Sequence, residues 1–224
     1  MSAEATAEIL ERQRALTLVV CRILDLLIAS AALILCAPII AVASVLIRLE
    51  SPGPAIFAQR RLGRDRRLFT VHKLRTMSNS ASPAVHREYI DQLINGAEET
   101  HSDGSRELYK LTNDERVTRV GRFLRRTSLD ELPQLFDVLR GPMSLVGPRP
   151  VIPYEADLYP SEYDRRFAVK PGLTGLWQVS GRNECSYREM VALDISWVER
   201  QSIWGYLAIV ARTPWVLLRS RGVA

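Results

Sequence analysis

The chain is poor in the residues that staple or metallate small proteins. It holds 3 cysteines and 3 histidines in 224 residues. Cys21, Cys36 and Cys185 are widely spaced and two of them lie in an apolar stretch, so no disulfide framework or zinc pattern is present; this fits a reducing compartment. His72, His86 and His101 form no HxxxH or HExxH pattern, which removes the common histidine metal sites. Lysine is scarce as well, occurring at Lys73, Lys110 and Lys170 alone among the 30 basic residues. There is no internal repeat. With 47% hydrophobic and 25% charged residues, neither wholesale disorder nor a polytopic channel is suggested. The length suits one hydrophobic core plus an anchor and excludes two large domains.

What remains is arginine, and a formal charge of +5. Its planar fork of donors suits phosphate oxygens, so an anionic substrate or an anionic membrane face fits. Codon bias in a GC-rich genome explains the overall excess equally well. Only particular arginines therefore carry weight.

Residues 1–15 read as a polar, helix-compatible leader, residues 16–48 as a membrane helix, and residues 49–224 as a cytosolic catalytic domain ending in interfacial helices. The apolar part is too long for a signal peptide, and Ile23–Ile47 meets the length a spanning helix needs. Pro38 removes a backbone donor near its centre and bends it. Arginines flank both ends: Arg12, Arg14 and Arg22 before, Arg48, Arg60, Arg61, Arg64, Arg66 and Arg67 after. The positive-inside rule then puts both ends on the cytoplasmic side. A kinked, re-entrant helix satisfies both observations; a simple span is the alternative. Arg22 and Asp25 share one helical face and can pair.

Ser51-Pro52-Gly53-Pro54 is a turn. Alternating runs at Ala55–Ala58 and Leu68–Leu74 predict short strands around the basic turn Gly63–Arg67. Ser78–Ser105 is a polar surface insert. Tyr187–Trp197 has helical spacing, with Ser186 and Glu189 as cap and first-turn acid. The last apolar run, Trp204–Leu218, carries Trp204, Tyr206 and Trp215 between arginines. It suits the headgroup layer or packing on the core.

The chemistry-bearing segment is Arg125-Arg126-Thr127-Ser128-Leu129-Asp130-Glu131-Leu132-Pro133. Ser128-x-x-Glu131 before an apolar run is also a capping box, which would make Glu131 a structural residue. Pro133 weakens that account, because it would fall inside the helix. With Asp130 as N-cap, Pro133 sits in the first turn and both carboxylates meet the positive end of the helix. Paired carboxylates beside arginines suit a phosphate and a divalent cation. Mg²⁺ is usually shared between one or two carboxylates and substrate phosphates, and a neighbouring carboxylate can attack phosphorus. Two further segments follow. Pro148-Arg149-Pro150 displays an arginine on a stiff backbone, or is a structural turn. Lys170–Asn183 holds three glycines, which permit close backbone approach to a ligand, with Trp177 read as a core residue and Arg182 beside the last glycine.

KLRTM at Lys73–Met77, RRTSLDELPQLFDVLRGPMSLVGPRP at Arg125–Pro150 and KPGLTGLWQVSGRN at Lys170–Asn183 resemble the small bacterial sugar transferases, the monotopic phosphoglycosyl transferases of the polyprenyl-phosphate type. The resemblance runs from Arg22 onward. It implies an α-rich α+β fold, anchored by one kinked re-entrant helix, with short strands and interfacial amphipathic helices. It implies a UDP-sugar donor, an undecaprenyl phosphate acceptor and release of UMP, by a ping-pong reaction that starts surface glycan or exopolysaccharide assembly. By the same resemblance Asp130 is the nucleophile that carries the phospho-sugar, and Glu131 the Mg²⁺ ligand, with Asp130 adjoining the metal. Arg125 and Arg182 lie around the phosphate or lipid headgroup, Pro148, Arg149 and Pro150 at the nucleotide, and Lys73 and Arg75 in a basic substrate-binding segment. The family breaks its helix at a Ser-Pro pair; here the pair is Ala37-Pro38. The chain looks like the minimal catalytic form at the bacterial inner membrane, facing the cytoplasm. Membrane lipids and a second copy of the chain (a homodimer) are compatible partners, and nucleic acid is not expected. A nucleic-acid-binding regulator would need a reading helix or an aromatic-basic platform, and a non-catalytic scaffold would not need the Asp130-Glu131 pair.

Overall fold

The computed structural model describes residues 3–78, 116–181 and 185–219. Most of the predicted polar insert, and Arg182 with Asn183, lie outside them.

Helix α1, Ala3–Glu50, crosses the expected boundary between leader and anchor without interruption. Its 48 residues correspond to roughly 72 Å at the usual rise. Pro38 lies inside it. One missing backbone donor is a small loss in an element of this length, so the expected interruption at Ala37-Pro38 does not end the helix. A regular stripe of α1 is packed: Asp25, Ala29, Ala43 and Ile47 are buried, with Ala32, Leu33 and Ile40 partly so. The other side leaves Ile23, Leu27, Ile34, Leu35, Val42 and Leu49 exposed. A helix that is apolar on both its packed and exposed faces has the composition of a membrane anchor. Among the described residues it is the one helix long and apolar enough to cross a membrane.

The packed stripe is held at two distant points. At the first, Arg22 donates to the Val138 and Leu139 carbonyls (2.7 and 3.0 Å). The Asp25 carboxylate accepts from the Leu145 N–H, the Ser144 hydroxyl and the Tyr206 hydroxyl (2.7, 2.9 and 2.7 Å). At the second, Glu50 accepts from the Arg119 and Val120 N–H groups (2.7 and 2.9 Å), and Ala43 and Ile47 pack with Leu74 and Leu124. Both parts of the apolar helix therefore rest on one globular body. The Arg22–Asp25 pair is real but long, at 3.9 Å; each partner has stronger tertiary contacts.

The predicted hairpin forms. Strand β1, Ile56–Leu62, pairs antiparallel with β2, Leu68–Leu74. Asp65 and Arg66 in the connection take left-handed φ values of 56° and 55°, which tightens the turn. Helix α2 is Arg119–Thr127 and α3 is Gln134–Arg140. A two-stranded parallel pair follows, β3 (Ser144–Val146) with β4 (Gly172–Thr174). A Cβ on Gly172 would overlap the Gly147 nitrogen, and one on Gly175 would crowd the Gly147 carbonyl. These glycines let backbone approach backbone, bringing two motifs together.

Short helices α4 (Pro153–Ala156) and α5 (Leu176–Ser180) precede the longer α6 (Tyr187–Glu199) and α7 (Ile203–Arg219). The Ser186–Glu189 capping box is formed on both sides, and Trp177 is buried. Helix α7 divides the two readings of the last apolar run. Tyr206 and Ile209 join the core, while Trp204 and Trp215 stay exposed.

Candidate active site

The acidic pair sits between two helices. Ser128 ends α2 in the left-handed conformation, φ 56°, and Leu129–Glu131 form a single 3-10 turn. Pro133, at φ −60° and ψ −20°, then opens α3. Asp130 is thus not the N-cap of α3 but lies one turn upstream, because the left-handed Ser128 re-enters helical geometry before Pro133. The Ser128 side chain makes no capping bond. The capping-box account of Glu131 fails on that point.

Three side chains of the KLRTM segment go three ways. The Lys73 ammonium donates to Glu131 Oε1 at 2.7 Å. Thr76 Oγ1 accepts from Arg125 Nε at 3.0 Å, which draws the end of α2 onto this segment. Arg75 is buried and turns instead to the end of α1, donating to the Pro52 and Ser51 carbonyls and the Ser51 hydroxyl (2.6, 2.7 and 2.9 Å). Its guanidinium closes the orphan carbonyl end of a helix, so the structure does not bring Arg75 to the carboxylates. Behind β2, Asp137 of α3 accepts from the His72 N–H at 2.8 Å and contacts its ring at 2.6 Å. That tie fixes β2 against α3 and so sets Lys73 opposite Glu131.

A cleft opens here, lined by Arg61, Lys73, Glu131, Gln134, Arg149 and Gln178, with Pro150 and Gly172 at its walls. Hairpin register explains part of it. Arg61 pairs with Phe69, Gln59 with Val71 and Phe57 with Lys73, so Arg61 and Lys73 share one face of the sheet. Pro148 lines a smaller neighbouring cavity. The Arg61 guanidinium is held down to about 10, by burial first and by the charge of Arg149 second. Two like charges on one cleft wall disfavour each other, and an anion between them removes that cost.

Arg149 is presented by a buried frame. The Arg166–Asp194 pair, at 2.6 Å, is fully enclosed. Arg166 donates to the Arg149 carbonyl at 3.4 Å, which ties the enclosed pair to the backbone of Arg149. Arg166 also donates to the Tyr159 hydroxyl, whose own proton goes to Glu155, as does that of Tyr187. Gly172 N–H holds the Pro148 carbonyl at 2.8 Å, and Arg61 holds that of Pro150 at 2.9 Å. The backbone of the Pro-Arg-Pro segment is thus secured at each residue.

A family model described as bacterial sugar transferase matches residues 16–220. The chain belongs to the bacterial sugar transferase family. Exopolysaccharide production protein ExoY of Rhizobium meliloti is 40% identical over 201 residues, covering 90% of this chain and 86% of its own. Undecaprenyl-phosphate galactose phosphotransferase of Salmonella typhimurium is 44% identical over 170 residues, covering 76% of this chain and 34% of its own. UDP-glucose:undecaprenyl-phosphate glucose-1-phosphate transferase of Caulobacter vibrioides is 41% identical over 200 residues, covering 86% and 67%. The chain spans between 34% and 42% of the length of four of the curated relatives it matches.

For this bacterial sugar transferase, the structure gathers Lys73, Glu131, Arg149 and Pro150 around one cleft. Asp130 adjoins them in the same turn, and Arg125 is fixed to Thr76 close by. Arg182 lies outside the described residues. Sequence reasoning did not single out Gln134, Gln178 or the Arg166–Asp194 frame, and it named Arg61 only among the flanking cations. Hairpin alternation counted back from Lys73 would have found Arg61. Nothing local marks the others.

Proposed function

We propose that the chain is a phosphoglycosyl transferase moving a sugar-1-phosphate from a UDP-sugar to undecaprenyl phosphate. The observation that carries this is the cleft itself, where Glu131, tied to Lys73 at 2.7 Å, faces Arg61 and Arg149; Asp130, buried at 9% exposure, is its neighbour in the same turn. A carboxylate pair opposed by several cations suits a reacting phosphate and a hard cation. Among the described residues no three of His, Cys, Asp and Glu gather, so a protein-only metal cage is not built there. Two carboxylates are nevertheless what Mg²⁺ takes from a protein when phosphates supply the remaining oxygens. Glu131 and Asp130 would hold it, and when bound it supplies charge neutralisation on the phosphate oxygens.

In the first half-reaction a carboxylate oxygen of Asp130 attacks the sugar-linked phosphorus. The new bond is O–P in an acyl phosphate, and the bond that breaks joins that phosphorus to the bridging oxygen, which leaves with UMP. In the second, a phosphate oxygen of the lipid attacks the same phosphorus, the acyl phosphate O–P bond breaks, and Asp130 is regenerated. Arg125 and Arg149 lower the cost of negative charge on the transferring and departing groups, and Arg182 is proposed to share that role. The product is a polyprenyl diphospho-sugar, the start of a surface glycan or exopolysaccharide.

The acceptor is a lipid, and the exterior of the fold supports a membrane setting. Exposed Ile34, Leu35 and Leu49 on α1 are accompanied by Phe123, Phe136, Trp204 and Trp215, with Arg140 over the Phe136 ring at 5.6 Å. We read α1 as entering and leaving the inner membrane on its cytoplasmic face. Its docking onto one body at both Asp25 and Ile47 supports that reading over a simple span.

The test is direct. Purified chain with Mg²⁺, undecaprenyl phosphate and a panel of UDP-sugars releases UMP with at least one donor, and Asp130→Asn abolishes it. Wild-type turnover in Asp130→Asn would overturn the covalent route. In a cysteine-free background, Glu11→Cys and Arg200→Cys are labelled from the same, cytoplasmic side; labelling from opposite sides would restore the span.

A further inference from the structure

We propose that Arg61 is a ligand for the donor's non-transferred phosphate, gripping with its guanidinium fork the group that departs as UMP. This rests on the reading of the cleft as a UDP-sugar site. An arginine carries five N–H donors. Three are used here: Nε and Nη2 donate to Gln59 Oε1 (3.0 and 2.7 Å), and Nη1 donates to the Pro150 carbonyl (2.9 Å). Two remain, and the group lines the cleft.

These bonds do two things. Gln59 locks the plane of the guanidinium, so little side-chain freedom is left to lose on binding. The bond to Pro150 puts Arg61 next to Arg149, the residue presented by the Arg166–Asp194 frame. A fork locked in plane beside a second arginine on a secured backbone matches neighbouring phosphate oxygens better than one mobile cation does. The mutual disfavour of Arg61 and Arg149 is relieved when a dianion sits between them, which adds to affinity for a phosphate but not for a neutral nucleoside. Lys73 serves another part of the ligand, being committed to Glu131 at the reacting end.

The experiment measures affinity for UMP and for uridine, together with steady-state kinetics on the best donor. The proteins are wild type, Arg61→Gln, Arg61→Lys and Gln59→Leu. Loss of a fixed, charge-assisted fork predicts UMP binding weaker by roughly 10- to 100-fold in Arg61→Gln, with uridine affinity unchanged and donor KM raised. Arg61→Lys recovers only part of this. Gln59→Leu, which frees the fork but keeps its charge, gives a smaller loss of the same kind. Equal loss of UMP and uridine affinity would mean that Arg61 only shapes the cleft, and unchanged UMP affinity would show no phosphate contact; either overturns the inference. If Arg61→Gln does not fold, an unchanged UMP affinity in Gln59→Leu overturns it instead. A wild-type protein that turns over no UDP-sugar sinks the broader reading rather than this one.

Discussion

Replacing Asp25 with alanine removes the acceptor that joins the apolar helix to the body. Its Oδ1 receives three hydrogen bonds, from Leu145 N–H, Ser144 Oγ and Tyr206 Oη. Leu145 and Tyr206 are 6% and 1% exposed, so water does not reach either donor once the carboxylate is gone. Each stranded buried donor costs about 1–3 kcal/mol. Arg22 also loses its nearest carboxylate, and breaking a buried charged contact on one side typically costs about 3–5 kcal/mol. The two estimates overlap, and we expect Asp25→Ala to lose about 3–5 kcal/mol, a large part of a typical folding free energy of about 5–15 kcal/mol. Asp25→Asn keeps one acceptor oxygen and should lose about 1 kcal/mol. The assay is urea unfolding of detergent-solubilised protein followed by tryptophan fluorescence. Because β3 runs on through Gly147 into Pro148-Arg149-Pro150, donor KM should rise in Asp25→Ala even under folding conditions. A loss within about 0.5 kcal/mol, the range of an ordinary surface change, would refute the claim that this carboxylate latches α1 to the body.

Arg75→Met should lower stability by about 2–3 kcal/mol, through the unpaired end of α1, while donor KM stays within about twofold of wild type; a selective KM increase would return Arg75 to the substrate. Gly172→Ala should cost about 3 kcal/mol or more, or prevent folding, because the methyl group meets backbone that cannot yield; a soluble protein of unchanged urea midpoint would contradict the close approach. Glu131→Gln should raise the Mg²⁺ concentration needed for half-maximal UMP release by about tenfold or more, with no change in the unfolding midpoint. Chelation with EDTA should stop UMP release in the wild type, and Mg²⁺ should restore it; activity that survives chelation would remove the metal from the reaction.

Much of this bacterial sugar transferase is legible locally. Apolar length and flanking arginines mark α1, alternation around Gly63–Arg67 marks the hairpin, and Ser186 with Glu189 marks the start of α6. In each case a short-range rule of backbone geometry or capping decides the element, and the residues obeying it are neighbours in sequence. The Asp130-Glu131 pair was also visible, but its place was not: a left-handed Ser128 moved it out of α3 into the preceding turn. Other assignments were beyond any local signal. Arg75 stands two residues from Lys73 in a basic segment, yet one binds the end of a helix and the other a cleft carboxylate. The glycines of the Gly172–Gly175 segment looked suited to a ligand; they also admit the backbone of Gly147, which no local signal foretold.

By itself the sequence determined the long apolar helix, the hairpin and the capped start of α6, and it set an acidic pair beside arginines. The tertiary structure alone decided which of those groups meet. Lys73 reaches Glu131 across 58 positions, Arg166, paired with Asp194, holds the Arg149 carbonyl, and Arg61 joins the cleft by hairpin register. Such pairings depend on how distant surfaces pack, and a burial pattern read along one strand of sequence does not specify its partner.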